Sequence, residues 1–299
     1  MNNIPSPKIS IVTPSLNQGM FLEQTICSVL DQGYPNLEYI IIDGGSRDNS
    51  KEIIQKYEKH LSFWCSEPDD GHYAAVNKGF TQATGEIFAW LNSDDMYCPW
   101  ALRTVASVFS QLQDIQWLTT LSPLLWDSEG FCYCADSIPG FAKRSFLNGS
   151  NIPWDGPWTI QQESTFWRRS LWETTGGLNL EYQLAADFDL WCRFYMQTDL
   201  YGLNSPLAGF RVHKNQRSHQ IEVYREEARR SLAVARTALK WEEKLRPIKR
   251  YDEHDNRYVR MARTVIRRLT ANKNTGKNIN RVVQEQSNTW SLEEVSFFE

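Results

Sequence analysis

The sequence of 299 residues contains no stretch of about 18 uninterrupted apolar residues, so a membrane-spanning helix is not expected. Its six cysteines (Cys27, Cys65, Cys98, Cys132, Cys134 and Cys192) form no Cys-x-x-Cys pair and no dense framework. That pattern fits a reduced cytosolic protein better than a disulfide scaffold or a zinc module. The opening Met-Asn-Asn-Ile-Pro-Ser-Pro is too short and too polar for a secretory signal. Net positive charge is missing as well: 32 Lys+Arg face 36 Asp+Glu, a formal charge of −4, so a dedicated nucleic-acid binder is not expected. There is no internal repeat and no long low-complexity run. A Gly-x-Gly-x-x-Gly turn does not follow the first apolar run, which leads instead into Thr13-Pro14-Ser15-Leu16-Asn17. Pro14 would disrupt a dinucleotide phosphate turn, which argues against a nicotinamide or flavin oxidoreductase.

What is present is unevenly spread. Residues 1–224 carry 15 basic against 25 acidic side chains, residues 225–281 carry 17 against 7, and residues 282–299 carry none against 4. An acidic body of 1–220 is therefore expected, followed by an extension of 221–299 with a strongly basic stretch. Apolar spacing over 221–245 and 255–271 predicts helices there. In the second, Tyr258, Met261, Ala262, Val265, Ile266 and Leu269 form one stripe among Arg257, Arg260, Arg263, Arg267 and Arg268. Such a helix can lie on anionic lipid or pack against the acidic body. The expected location is cytoplasmic, with the inner face of the membrane as the alternative.

The first half alternates strand and helix patterns. Ile9–Thr13, Leu37–Asp43, Phe63–Cys65 and Ile87–Leu91 read as strands, and Met20–Leu30, a segment after Asp48 and Tyr73–Gln82 as helices. This predicts an α/β fold with a mainly parallel sheet, whose ligands sit beyond the carboxyl ends of the strands. Four polar loops, Thr13–Asn17, Asp43–Asp48, Glu67–Gly71 and Asn92–Asp95, should converge on that edge. Asp94 and Asp95 repel each other unless neutralised, either by a divalent cation shared with a diphosphate or by capping the helix near Pro99. Asp43, followed by Gly44 and Gly45, can accept hydrogen bonds from a base or ribose, or can organise its own tight turn.

Ile11-Val-Thr-Pro-Ser-Leu-Asn17, Ile41-Ile-Asp-Gly-Gly-Ser46, Ser66-Glu-Pro-Asp-Asp-Gly-His-Tyr-Ala-Ala-Val-Asn-Lys-Gly79, Thr84-Gly-Glu86 and Asn92-Ser-Asp-Asp95 occur in this order. Gln161-Gln-Glu-Ser-Thr-Phe-Trp-Arg-Arg169, Gly176-Gly177 and Ala185-Ala-Asp-Phe-Asp-Leu-Trp191 follow. Over about residues 8 to 218 the chain resembles the family 2 glycosyltransferases. The resemblance implies a GT-A fold, Rossmann-like and flanked by helices, with a donor half of about 1–115, an acceptor half of about 116–220 and a helical C-terminal extension. It implies inverting transfer from a nucleotide-diphosphate sugar, UDP-linked as a rule, to a hydroxyl of a saccharide or lipid-linked acceptor, as in polysaccharide biosynthesis. Thr13, Pro14, Asn17, Asp43, Asp69, Asn77, Asp94 and His213 are then donor-side residues. Asp95, with Asp94, would hold Mn²⁺ or Mg²⁺, and Asp187 would be the base. Trp158, Gln162, Glu163 and Asp189 lie in acceptor-side segments.

One departure stands out: many members have Asp-Asp-Gly-Ser where this chain has Asp43-Gly44-Gly45-Ser46, so a second carboxylate is gone. Asp187 is also well placed as a first-turn carboxylate favoured by the helix dipole. The loop from Trp154 to Trp158 can stack on sugars or close the core, and His213 can approach a diphosphate or serve a turn. The competing reading is a nucleotide-sugar-binding regulatory protein without catalysis, against which the retention of both Asp95 and Asp187 argues.

Overall fold

The computed structural model describes residues 6–153, 155–156, 158–214, 216–217, 220–241, 276–285 and 289–298. In chain order the first half is β1 (Ile9–Ser15), α1 (Leu22–Leu30), β2 (Leu37–Asp43), α2 (Ser50–Tyr57), β3 (Phe63–Ser66), α3 (His72–Gln82), β4 (Ile87–Trp90), β5 (Met96–Tyr97) and α4 (Ala101–Gln111). The second half is β6 (Trp117–Thr120), β7 (Leu124–Trp126), β8 (Cys132–Ala135), α5 (Lys143–Leu147), β9 (Phe166–Arg168), α6 (Arg169–Thr175), α7 (Ala186–Gln197), β10 (Tyr201–Leu203), β11 (Ala208–Arg211), α8 (Ile221–Ala238), β12 (Gly276–Gln284) and β13 (Trp290–Phe298).

Strands buried on both faces are largely apolar, as β4 is throughout and as β1 and β2 are apart from Ser10, Thr13, Ser15, Glu38 and Asp43. Ile9, Ile11, Tyr39, Ile41, Ile87 and Ala89 face a core with Leu22, Ile26 and Val29 of α1, Ile53 and Ile54 of α2, and Val105 of α4. Val12, Ile40, Ile42, Phe88 and Trp90 face the opposite core with Val76 and Phe80 of α3 and Leu190, Trp191 and Phe194 of α7. The alternation of a pleated strand thus divides each apolar run between two helical layers.

The large sheet has the order β13-β12-β10-β6-β9-β4-β1-β2-β3 among the described residues. β1 runs parallel to β2 and β4, and β2 to β3, while β9 is antiparallel to both β4 and β6. A smaller sheet, β5-β11-β7-β8, lies beyond the end of β4, and its β5–β11 pair is antiparallel with Ala208 opposite Tyr97 and Gly209 opposite Met96. This register brings the strand before Arg211 alongside the residues that follow Asp95.

The aromatic content supports the core more than any surface. Trp90, Trp117, Trp167 and Trp191 are all fully buried, with Trp191 stacked between Trp90 and Trp117 at centroid distances of 6.2 and 5.5 Å. Trp158 is half-buried and packs against this cluster, whereas Trp154 is outside the described residues.

The extension departs from the expected all-helical form. α8 begins at Ile221 and ends at Ala238, and the stripe of 255–271 is outside the described residues. Its last part is a β-hairpin: β12 runs parallel to β10, with Tyr201 opposite Asn280, and β13 returns antiparallel. The physical reason is the edge of β10, whose N–H and C=O groups would otherwise be unpaired. Ile279 and Val282, both buried, seat the hairpin there. No helix among the described residues is long and apolar enough to cross a membrane.

Close approach of α3 to β1 requires a glycine. A Cβ on Gly79 would lie 2.4 Å from Cγ1 of the buried, β-branched Val12. Gly79→Ala is expected to destabilise the protein by about 1–3 kcal/mol, read as a fall of several degrees in Tm, despite the higher helix propensity of alanine.

Candidate active site

The carboxyl ends of β1, β2 and β3 are adjacent, and their loops are tied by short polar contacts. Asp43 is fully buried and accepts from Ser46 N–H at 2.9 Å, from the Ser46 hydroxyl and from Ser66 Oγ at 2.7 Å. Of its two readings, the turn-organising one describes these contacts. Asn17, in the left-handed region at φ 53°, donates its N–H to Ser46 Oγ at 2.7 Å and accepts from Arg47 N–H at 2.8 Å. Asp48 accepts from Gly19 N–H at 2.8 Å and Ser50 N–H at 3.0 Å, so it orders the start of α2 although Asn49 occupies the cap position. Asp69 accepts from Gly71 N–H at 2.9 Å, and a Cβ on Gly44 would lie 2.9 Å from its Oδ2. The missing second carboxylate therefore has a steric and electrostatic reason: position 44 faces Asp69.

Two expected donor-side residues are otherwise engaged. Thr13 is fully buried with its hydroxyl 3.1 Å from Tyr39 Oη, and its neighbour Pro14 is buried too. Asn77 uses both ends of its amide on Leu178, donating to the carbonyl at 2.8 Å and accepting from the N–H at 2.9 Å. It tethers α3 to the loop before α7.

The turn after β4 presents its two carboxylates differently. Asp95 is 1% exposed, accepts from Arg211 N–H at 2.9 Å and from Asn92 Nδ2 at 3.2 Å, and its carbonyl accepts from Thr25 Oγ1 at 2.8 Å. Burial, reinforced by Asp94 and Glu163, pushes its carboxyl well above the usual range. Asp94 is the more open of the pair, with Oδ2 2.9 Å from His213 Nε2. Asp94, in contact with His213, is thus the more exposed of the two carboxylates and Asp95 the buried one. Neither aspartate caps α4, whose cap position is Trp100.

Arg211 organises this turn and was not singled out by the sequence pattern. Fully buried, it donates Nε to the Asp94 carbonyl at 2.6 Å and Nη1 to the Ser128 carbonyl at 3.2 Å. Its guanidinium lies 4.9 Å from the ring centre of Phe21, against which His213 packs at 4.5 Å. His72, at the start of α3, feels both Arg217 and Asp94, and burial lowers its imidazole to about 4.

Among the described residues no group of three or more His, Cys, Asp or Glu side chains is gathered to hold a metal ion. The Asp94–His213 pair nonetheless fits two neighbouring positions of such a shell. Two neighbouring ligands at about 2.1 Å from an octahedral ion are about 3.0 Å apart, close to the 2.9 Å observed. Asp95 offers less to an ion, being 1% exposed with one hydrogen bond already on each carboxylate oxygen.

On the acceptor side, Asp187 lies in the first turn of α7 and accepts from Tyr224 Oη at 3.0 and 3.1 Å, one distance to each oxygen. Burial raises its carboxyl to about 6, opposed by hydrogen bonds from Phe188 N–H and Tyr224. Asp189 points away into an internal network, accepting from Arg193 Nε at 2.8 Å and Ser231 Oγ at 2.8 Å, which corrects its placing among acceptor-side residues. Gln162, in a 3-10 turn at Gln162–Ser164, donates to the Trp90 carbonyl at 2.6 Å. The next residue, Glu163, is 3% exposed with Oε1 unpartnered. Burial raises its carboxyl to about 8, and Asp187 and Asp94 push in the same direction. Glu163 therefore lies within electrostatic reach of both Asp94 and Asp187. The Trp158 carbonyl accepts from Asn151 Nδ2 at 3.0 Å, in keeping with a packing role.

Removing the buried cation under the aspartate turn should be costly. Arg211→Met is expected to lower unfolding free energy by about 3 kcal/mol in urea denaturation, because the Asp94 carbonyl and its carboxylate neighbours lose their compensation. Arg211→Lys should recover only part of it, lacking the planar fork.

Comparison with known proteins agrees with this geometry. The glycosyl transferase family 2 model matches residues 10–118. An uncharacterized glycosyltransferase of Mycobacterium tuberculosis is 30% identical over 192 residues, covering 61% of this chain and 66% of the relative, just under two thirds of its length. A Bacillus subtilis glycosyltransferase named for teichuronic acid biosynthesis is 40% identical over 94 residues, 30% of this chain and 37% of that one. Among solved structures, Staphylococcus aureus TarS with UDP-GlcNAc superposes with a TM-score of 0.59 at 17% identity, covering 76% of this chain and 66% of that chain. The mannosyltransferase PcManGT of Pyrobaculum calidifontis, in complex with GDP-Man and Mn²⁺, gives 0.52 at 17% identity over 80% and 76%. A mainly parallel sheet, the motif series along its carboxyl edge and these matches together show a glycosyl transferase family 2 domain over residues 10–118, on a GT-A fold.

Proposed function

We propose that the protein transfers a sugar, with inversion, from a nucleotide-diphosphate donor to a hydroxyl of a saccharide or lipid-linked acceptor, and that the donor is UDP-linked. The observation that supports this reading best is the Asp94–His213 contact at 2.9 Å, with the charges of Asp94 and Asp187 both acting on one buried acid, Glu163. The UDP-GlcNAc held by TarS and the role named for the Bacillus relative support the donor class and a part in surface-polymer synthesis.

In this reading the acceptor hydroxyl gives its proton to Asp187 as its oxygen bonds to the anomeric carbon. The bond from that carbon to the donor phosphate breaks, and its electron pair leaves with the diphosphate. A divalent cation bound by Asp94 and His213 would supply charge stabilisation for that leaving group, where it counts most. Arg211, fixed beneath the turn, keeps Asp94 in place, and the tied loops after β1, β2 and β3 form the wall on which the nucleotide rests. Asp187 must be ionised to act. With its carboxyl raised to about 6, the base is mostly deprotonated at neutral pH yet more basic than an exposed aspartate.

The pH dependence follows from that sign. Protonation disables the base, so the rate should fall about tenfold per pH unit below a limb near 6. Asp187→Asn is expected to cut turnover by about 10²–10⁴-fold and to flatten this limb, while UDP binding by thermal shift is retained. A panel of UDP-sugars and GDP-mannose with Mn²⁺, scored by release of free nucleotide, provides the assay, and near-normal turnover of Asp187→Asn would refute the base assignment. Asp94→Asn and His213→Ala should each weaken Mn²⁺-dependent UDP binding by about tenfold or more.

A further inference from the structure

We propose that α8 is the positioning element of the base, Tyr224 aiming the Asp187 carboxylate and Glu227 fixing the start of the helix that carries it. The proposal rests on the reading of Asp187 as the base. It concerns residues far beyond the 10–118 matched by the family model.

α7 begins without a capping side chain, since Ala185 occupies the cap position. The segment that leads into it is held instead from another helix. Glu227 accepts from the N–H groups of Gln183, Leu184 and Ala185 at 2.8, 2.9 and 2.9 Å. Three polar residues on one face of α8 at helical spacing meet the α7 segment: Tyr224 on Asp187, Glu227 on the entry to the helix, and Ser231 on Asp189 at 2.8 Å. Between and beyond them Ala228, Leu232 and Ala235 are buried, so one face of α8 carries both the packing and the polar contacts. A flank of α8 is anchored as well, with Arg229 donating to Asp155 at 2.5 Å and Arg236 to the Leu147 carbonyl at 2.6 Å.

The Tyr224 hydroxyl sits almost equidistant from the two Asp187 oxygens, at 3.0 and 3.1 Å, which fixes the plane of the carboxylate. One O–H satisfies part of its accepting capacity and leaves lone pairs for a substrate proton. Burial and the Asp187 charge raise the phenol well above its ordinary value, so Tyr224 stays a donor throughout the working range. The other ionisable groups around Asp187 are Glu227 on α8, Glu163 on the 3-10 turn, Asp189 on its own helix, and Tyr73 on α3 with Arg217 over its ring. Most of these are acidic and disfavour the ionised base, whereas Tyr224 favours it.

The test is a carbon-13 titration of the full chain labelled at aspartate Cγ, with Asp187→Asn assigning the resonance. Tyr224→Phe removes only the hydroxyl and is expected to move the Asp187 midpoint upward by about one pH unit, to move the acid limb of turnover with it, and to leave UDP binding unchanged. Ser231→Ala, which touches Asp189, should leave that midpoint in place. Glu227→Gln gives an independent reading through hydrogen exchange, with the amides of Gln183, Leu184 and Ala185 exchanging about tenfold faster or more. An unchanged midpoint in Tyr224→Phe would overturn the proposal, as would a loss of turnover there that merely follows a loss of Tm. Wild-type protection in Glu227→Gln would overturn the part given to Glu227. A shifted midpoint combined with a fully active Asp187→Asn enzyme would instead overturn the base assignment beneath it.

Discussion

A fully buried arginine beneath two adjacent aspartates is the constraint on which the site depends. Two carboxylates at the end of a strand repel, and one of them, Asp95, is nearly devoid of water. Arg211 makes this tolerable by several routes: its backbone N–H binds the Asp95 carboxylate, its guanidinium binds the Asp94 carbonyl, and its charge lies close to both acids. The cost of burying the guanidinium is offset by carbonyl acceptors and by the face of Phe21. Since β11 pairs with β5 directly after the aspartates, strand register delivers Arg211 to its place and brings His213 to Asp94 two residues later. One local pairing therefore joins the first half of the chain to the closing segment of the second.

The parallel sheet makes that pairing useful. Adjacent strands β3, β2, β1 and β4 end on the same edge, and side chains from one loop bond the backbone of the next, as between Asn17, Ser46 and Arg47. A wall tied by such contacts loses little entropy when a ligand arrives, which is what preorganisation means in energetic terms. The antiparallel β9, inserted between β4 and β6, carries the chain from the segment containing Gln162 and Glu163 into the middle of the sheet. Through it the two halves share a core, with Trp167 in edge contact with Trp90 and Trp191.

Much of this was legible in the amino-acid order. The strand over Leu37–Asp43 matches its structural bounds, and the loops at the carboxyl edge follow from the alternation of apolar runs and helical spacing. The family motifs brought Asp94, His213 and Asp187 forward as candidates. Which of the two adjacent aspartates is buried was not legible, because Arg211, 116 residues from Asp95, sits beneath the turn and no local pattern reports that distance. The partners of Asn77 and Thr13 were hidden for a similar reason: a polar residue near a predicted edge can equally serve a tether to Leu178 or a bond to Tyr39. The hairpin of β12 and β13 escaped because its pairing partner, β10, is distant in sequence.

The state of Asp187 illustrates how far a motif underdetermines chemistry. An aspartate in the first turn of a helix should be acidic, since the dipole and the free N–H groups favour its charge. Here burial acts the other way and prevails, with nearby carboxylates adding to it, and the Phe188 N–H and Tyr224 hydroxyl only partly restore the ionised form. A base needs both properties in balance: too acidic, and it takes no proton; too basic, and it is already occupied. If Asp187 is the base, as proposed, that balance is set by burial against the Phe188 N–H and the hydroxyl of Tyr224, 37 residues further on and on a separate helix, so the basicity of the motif's aspartate belongs to the tertiary fold rather than to the motif.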